Sequence, residues 1–176
     1  MHGASSCEDM VRAETEDDYP GVRKVNEMAF GRGNEAELVD ALRLAANPQV
    51  SLVAVEDDEI VGHIFFSPVS VESGKRVFMA LGLAPMAVVP HRQRCGIGSR
   101  LVREGLKACR RLGHDVVFVV GHPEYYPRFG FEPARRLGFT CEYDVQDEAF
   151  MVSELRPGAA SGWSGIVRYL PQFRNV

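Results

Sequence analysis

The stretch from residue 78 to residue 120 constrains the fold of this chain more than any other. An apolar run at 78–89 leads through a glycine-containing turn into an amphipathic helix at 96–112, and Val116–Val120 is again wholly apolar. Five consecutive apolar residues are typical of a strand buried on both faces, and two strands of one sheet joined by a helix pair in parallel. The stretch therefore predicts a β–α–β core.

The helix at 96–112 has two faces of different chemistry. An apolar stripe of its kind predicts packing against a sheet. Its basic face is typical of a solvated surface, although it could also add positive potential near bound phosphates. The apolar face consists of Ile97, Leu101, Gly105, Cys109 and Leu112, and the basic face of Arg100, Arg103, Lys107 and Arg110.

Five strands and two helices are predicted around this core. Met10–Ala13 predicts a first strand, and two helices follow, one that begins near Asp18 and ends near Gly31, and one that begins at Asn34 and ends before Pro48. Residues 51–56 and 59–66 read as a hairpin, with residues 76–89 as a third antiparallel partner, because Asp57-Asp58 separates two β-branched, apolar runs. Further strands are predicted at 150–155 and, at the sheet edge, at 165–169.

Pro85 lies inside the long strand that opens the β–α–β core. Proline has no backbone N–H, so it cannot donate to a strand ladder. We therefore expect a bulge here, or a point at which the strand separates from a neighbour.

These elements together predict an α/β (α+β) fold with a mixed, mostly antiparallel central sheet, a β–α–β core and flanking helices. No repeat or linker divides the 176 residues. A chain of this length is typical of a single domain. We place that domain at 10–176, after a flexible N-terminus at 1–9.

Charge, cysteine spacing and hydropathy exclude several classes of protein. A formal net charge of −4 disfavours a nucleic-acid groove, which is normally basic. The four cysteines are far apart without a C-x-x-C pair, so neither a metal site nor a disulfide framework is predicted. The longest nearly apolar stretch is too short to span a bilayer as a helix. We therefore expect a cytoplasmic protein that binds no metal, nucleic acid or membrane.

The turn before the helix has the features of a phosphate site. Gly96 and Gly98 allow close backbone approach, and the N–H groups of a first helical turn favour an anion. A glycine turn before a helix is, by itself, often only structural. The Rossmann pattern is not met, because Leu101 stands where its third glycine belongs, and the P-loop pattern lacks its Lys-Ser/Thr pair.

Two motifs in order make the chain resemble the GNAT superfamily of N-acetyltransferases. Gln93, Gly96 and Gly98 match its coenzyme A signature, Gln/Arg-x-x-Gly-x-Gly/Ala. The segment from Tyr126 to Phe131 matches its Tyr-x-x-x-Gly-Phe motif. The order of elements agrees from about residue 11 to residue 155, and within the superfamily the chain resembles a bacterial branch of predicted acetyltransferases.

The resemblance implies that acetyl-CoA is the acyl donor and assigns ten residues to its binding. Backbone groups of the strand that contains Pro85 would pair with the pantetheine arm, and amides of the turn would hold the pyrophosphate. An amide near Met86 or Ala87 would polarise the thioester carbonyl. The ten residues are Met86, Ala87, Val88, Gln93, Arg94, Cys95, Gly96, Ile97, Gly98 and Ser99.

The resemblance also places the hydroxyl of Tyr126 near the coenzyme sulfur, where it would donate a hydrogen bond or a proton to the departing thiolate. Tyr125 should then tolerate substitution better. The amine must lose a proton before it attacks, and either His122 or Glu124 is a candidate base, because both follow the strand that borders the reaction centre. A histidine with structural hydrogen bonds alone is the competing interpretation of His122.

The predicted activity is transfer of an acetyl group to a primary amine of a small molecule or peptide whose identity the sequence leaves open. A non-catalytic acyl-CoA-binding regulatory module is one alternative, and an interaction protein that keeps the fold without a ligand is another. The resemblance is also compatible with a homodimer. Four acidic residues could steer a cationic amine or form a solvated loop, namely Glu142, Asp144, Asp147 and Glu148.

Overall fold

The computed structural model describes residues 10–176, so the expected flexible segment at 1–9 lies outside the described residues. The helices of the described part are α1 at Tyr19–Phe30, α2 at Asn34–Ala45 and α3 at Ile97–Arg111. The strands are β1 at Met10–Ala13, β2 at Val50–Glu56, β3 at Glu59–Ser73, β4 at Arg76–Val88, β5 at Val116–Val120, β6 at Glu132–Pro133, β7 at Phe139–Cys141, β8 at Phe150–Glu154 and β9 at Gly165–Arg168.

The strands form one mixed sheet, in which the main path is β1-β2-β3-β4-β5-β8-β6. Strands β1 to β4 are antiparallel neighbours, and β8 is antiparallel to both β5 and β6. Strands β4 and β5 pair in parallel, because α3 carries the chain back between them. The arrangement confirms the predicted fold class and its β–α–β core.

Helix α3 and the pair α1–α2 cover opposite faces of the sheet. Phe66 of β3 packs against α3 at Gly105, where a Cβ would lie 2.4 Å from its ring. The preceding residue, Phe65, packs in a separate cluster with Val22 of α1 and Leu42 of α2. Consecutive residues of a strand point to opposite faces, so the two sets of helices lie on different sides.

The strand predicted for the sheet edge lies inside the sheet instead. Strand β9 pairs antiparallel with β3 and parallel with β7, so the edge position predicted for residues 165–169 is wrong. The cause is the length of β3, which continues beyond the predicted end at residue 66 to Ser73. Its pairing with β2 ends at Val50–Phe66, and β9 occupies the same side of β3 at residues 70–72.

Candidate active site

Strands β4 and β5 separate at the position of Pro85. Their parallel register ends at the pair Leu83–Val119, whereas residues 86–88 of β4 remain paired with β3. Proline donates no ladder hydrogen bond, so the loss of a partner at this position follows from the sequence. The separation predicted from Pro85 is therefore present, and it opens a wedge between the two strands.

A groove with a volume of about 980 Å³ runs through this wedge. Among the predicted residues, Cys95 and Glu124 are exposed and lie outside its lining, and the side chain of Ile97 is buried in the core beneath the turn. The structure brings the other predicted residues together along the groove. They are Met86, Ala87, Val88, Gln93, Arg94, Gly96, Gly98, Ser99, His122 and Tyr126.

The turn before α3 leaves the N-terminus of the helix open. The side chain of Gln93 braces the turn by donating from Nε2 to the carbonyl of Val88 at 3.0 Å. Arg94 and Gly96 adopt left-handed φ angles of 63° and 86°. No side chain caps the helix at Gly96, and the N–H groups of residues 97–99 precede its first intrahelical hydrogen bond. These N–H groups and the helix dipole favour an anion at this position.

Gly98 allows two side chains to approach the first turn of α3. A Cβ at this position would lie 3.2 Å from the Tyr125 hydroxyl and 3.6 Å from Cε of Met86. The Tyr125 hydroxyl lies 3.1 Å from Oγ of Ser99, within hydrogen-bond distance, and the Arg128 guanidinium stacks 4.8 Å from the centre of the Tyr125 ring. Tyr125 therefore ties the loop after β5 to the helix N-terminus.

Tyr126 is held by packing at the end of β5. Its side chain is 7% exposed, and its ring fills the space beside Gly121, where a Cβ would lie 2.3 Å away. Phe131 and Tyr125 contact the ring edge-on, with centroids at 5.7 Å and 5.1 Å. Burial, and secondarily the proximity of Tyr125, raises the pKa of Tyr126 well above its usual value. A tyrosine is already protonated at neutral pH, and this shift keeps the hydroxyl neutral to still higher pH, so it can donate a hydrogen bond.

The groove also reaches the α1–α2 face of the sheet, through residues that the sequence analysis did not assign to the site. They include Ala29 and Phe30 at the end of α1, Glu35 and Leu38 on α2, and Phe173 in the C-terminal 3-10 turn. A hydrogen bond from Asn34 Nδ2 to the carbonyl of Asn175, at 3.3 Å, joins that turn to α2. No local motif marks these residues, because only the packing of distant segments brings them together.

Charged side chains are distributed unevenly along the groove. The basic side chains belong to the turn before α3 and to the loop after β5, at Arg92, Arg94 and Arg128. Arg92 also forms an ion pair with Glu56. Glu35 lies on the opposite side of the sheet and is the one acidic side chain among the described residues that line the groove. The side of the groove at the turn before α3 is therefore positive, whereas Glu35 makes the other side negative.

Two kinds of feature are absent from the described part of the chain, a cluster of metal ligands and a membrane-spanning helix. Among residues 10–176, no three His, Cys, Asp or Glu side chains are grouped so as to hold a metal ion. Within the same residues, none of the helices combines the length and the apolar character needed to cross a bilayer. Cys95, Cys109 and Cys141 are free thiols.

Comparison with known sequences identifies the family. The model of the acetyltransferase (GNAT) domain matches residues 10–134. The chain is 40% identical over 134 residues to the uncharacterized N-acetyltransferase YjhQ of Escherichia coli strain K12, a match that covers 74% of each chain. It is also 33% identical over 167 residues to YhbS of the same strain, which covers 94% of this chain and 99% of YhbS.

Solved structures agree with these matches. A crystal structure of YhbS from E. coli in complex with CoA superposes with a TM-score of 0.90 at 32% identity and covers 98% of this chain and 96% of YhbS. A GNAT acetyltransferase from Brucella melitensis in complex with acetyl-CoA gives a TM-score of 0.76 at 35% identity, with 95% and 99% coverage. The chain therefore belongs to the GNAT family of acetyl-CoA-dependent N-acyltransferases, which confirms the resemblance and the acyl donor inferred from the two motifs.

Proposed function

We propose that this chain transfers the acetyl group of acetyl-CoA to a primary amine of a small molecule or peptide. The proposal depends on the wedge between β4 and β5. The groove in this wedge is lined both by the open N-terminus of α3 and by the buried Tyr126. A donor with a long arm and a pyrophosphate fits between these two features.

The residues present fit coenzyme A. The edge of β4 from residue 84 to residue 88 is free of β5 and offers backbone groups to an extended pantetheine arm. The open N–H groups at 97–99 suit a pyrophosphate, and Arg94 and Arg128 supply positive charge along the same lining. Gly98 keeps the first helical turn clear of a Cβ.

When bound, acetyl-CoA supplies an acetyl thioester. The phenol of Tyr126 is protonated at neutral pH, as in any tyrosine, and burial raises its pKa further. Its hydroxyl would donate a hydrogen bond to the departing thiolate. We assign the base to His122, which lines the groove, in preference to Glu124, which does not. His122 would accept the proton of the incoming ammonium, directly or through a water, so that the amine attacks in its neutral form.

The test is release of free coenzyme A from acetyl-CoA by the purified chain in the presence of a panel of primary amines, with the acetylated amine identified by mass spectrometry. We expect coenzyme A to be released only when an amine is present, and one acetylated amine to form for each coenzyme A released. Thermal unfolding with and without acetyl-CoA measures donor binding separately, because a ligand that binds only the folded state raises Tm.

A non-catalytic acyl-CoA-binding module is the competing function. It would show a rise in Tm with acetyl-CoA and no coenzyme A release with any amine. The buried tyrosine favours the enzyme, because a binding module has no need of a proton donor packed at the end of the arm. If saturating acetyl-CoA does not change Tm, both acetyl transfer and non-catalytic acyl-CoA binding are excluded.

A further inference from the structure

Glu35 is a buried carboxylate in a groove whose other charged side chains are all basic. It is the second residue of α2, and it is 4% exposed although it lies in the groove lining. Burial deprives a carboxylate of much of its hydration free energy, and a paired charge or hydrogen-bond donors are needed to offset this cost. Its neighbours in the lining do not provide a partner, because Ala29, Phe30 and Leu38 are apolar.

Arg32 pairs with this carboxylate from the solvent side. Its Nε lies 3.1 Å from each Glu35 oxygen, and Nη2 lies 2.5 Å from Oε1, while the Arg32 side chain is 54% exposed. A carboxylate accepts about four hydrogen bonds. Arg32 supplies the three contacts given above, so part of the acceptor capacity of Glu35 remains. Arg32 itself does not belong to the groove lining. Glu35 is thus held by a residue outside the groove lining and has acceptor capacity left for a ligand.

The position of Glu35 relative to the donor site defines what it can bind. Helices α2 and α3 lie on opposite faces of the sheet, so the groove connects the anion site of α3 with Glu35 through the wedge. Phosphates suit the basic side. The side with Glu35 favours a cationic group, and the apolar residues around Glu35 favour a ligand whose remaining part is uncharged.

We infer that Glu35 selects the amine acceptor by accepting hydrogen bonds from its ammonium group before the proton is lost. This rests on the proposed function of the groove. The acceptor class that follows is a primary amine on an apolar or aromatic body, with no carboxylate beside the amine. A carboxylate at that place would meet Glu35 as a like charge. Phe30 and Phe173 supply the aromatic surface for the body of the acceptor.

The first test needs no substitution. Initial rates of coenzyme A release are measured for phenethylamine and for free phenylalanine, which differ by the carboxylate beside the amine. We expect kcat/KM to favour phenethylamine by about tenfold or more, because the carboxylate of phenylalanine places a like charge beside Glu35. Equal rates, or a preference for phenylalanine, would overturn the inference while leaving the proposed acetyl transfer intact. Release with neither compound, when other amines are acetylated, would also overturn it.

The second test compares three substitutions. Glu35→Gln should raise KM for phenethylamine about tenfold, change kcat much less, and leave the Kd of acetyl-CoA unchanged. Glu37→Gln on the exposed face of the same helix is the matched control and should change none of these values. Arg32→Gln frees the carboxylate and should leave KM equal or lower.

These outcomes separate acceptor binding from a structural role. If Glu35 and Arg32 only brace the turn between α1 and α2, their two variants should lower Tm alike and raise KM alike. That result would refute the inference. Failure of the proposed function has a different signature, namely no coenzyme A release by the unsubstituted chain with any amine of the panel.

Discussion

The hydroxyl of Tyr125 and Oγ of Ser99 lie 3.1 Å apart and form a hydrogen bond between the loop after β5 and the first turn of α3. The two residues are 26 positions apart in the chain and belong to the two sides of the proposed donor site. Tyr126, the adjacent residue, is packed against Gly121 and Phe131. One bond therefore couples the anion site to the segment that positions the proposed proton donor.

Replacing Tyr125 by Phe removes this bond and keeps the ring. We expect the free energy of unfolding to fall by about 0.5–1.5 kcal/mol, the net value of a neutral hydrogen bond, with kcat close to that of the unsubstituted chain. Ser99→Ala should cost a similar amount. Urea unfolding of the double variant checks the pair, because a direct bond predicts a loss smaller than the sum of the two single losses. Strict additivity would show that the hydroxyls do not interact.

Replacing Tyr126 by Phe removes the proposed donor. We expect kcat to fall by about 10²-fold or more, because general acid catalysis contributes on that scale, with little change in the Kd of acetyl-CoA. Steady-state rates and thermal shifts with acetyl-CoA provide the two readouts. An unchanged kcat would show that Tyr126 takes no part in the chemical step. Weaker binding of acetyl-CoA with an unchanged kcat would assign the residue a packing role.

Gly96 and Gly113 form a matched pair at the two ends of α3. Their φ angles are 86° and 84°, and a Cβ at either would meet nothing within 4 Å. Gly96→Ala and Gly113→Ala should each lower the free energy of unfolding by about 1–2 kcal/mol, the cost of a left-handed L-residue. Only Gly96 lines the groove. Isothermal titration should therefore show weaker acetyl-CoA binding for Gly96→Ala alone, and equal effects of both would contradict the anion site.

A buried histidine makes the stability depend on pH. His63 of β3 is fully buried, with Nε2 2.9 Å from Oγ of Ser51 and Nδ1 3.3 Å from Nδ2 of Asn26. An amide nitrogen is a donor, so Nδ1 accepts and Nε2 carries the proton of a neutral ring. Burial, and secondarily the charge of Arg43, lowers the pKa of His63 to about 3.

The lowered pKa sets the direction of the pH effect. The unfolded chain binds a proton near its ordinary pKa of about 6.5 and the native ring does not, so this stabilisation is complete above that pH and is lost as pH falls toward 3. Between pH 7 and pH 5 we expect a loss of about 2 kcal/mol from His63. Urea unfolding at both pH values checks this. Between pH 7 and pH 5, the His63→Gln variant should lose less free energy of unfolding than the unsubstituted chain, whereas the variant at the exposed His91, His91→Gln, should lose the same amount. If NMR shows that the His63 ring of the folded chain becomes protonated with a midpoint above pH 5, the prediction is wrong.

The grouping of the residues of the proposed donor site could be predicted from sequence because its determinants are local. Gln93, Gly96 and Gly98 fall within one turn, and Pro85 blocks a ladder hydrogen bond wherever the strand is placed. The structure places these residues along one groove. The individual roles of Tyr126, His122 and Glu124 stay predictions, and the groove lining favours His122 over Glu124 as the base.

The proposed acceptor side could not be predicted in the same way. Glu35 follows a helix start and has the pattern of an ordinary first-turn acid, which favours the helix dipole without any ligand. Phe173 lies far along the chain in a segment without a motif. Their shared lining depends on how α2 and the C-terminal turn pack on the sheet, and that packing leaves no periodic signal in either segment.

The sequence by itself determined the α-helices, most of the strands and the separation at Pro85, because hydrophobic period and backbone chemistry act over a few neighbouring residues. It did not indicate the short strands β6 and β7 or the full length of β3. Tertiary structure alone decided the inner position of β9, the buried setting of His63 and the place of Glu35 opposite the donor site. These features depend on which distant segments share an edge or a face, and burial then sets the charge and pKa of each group.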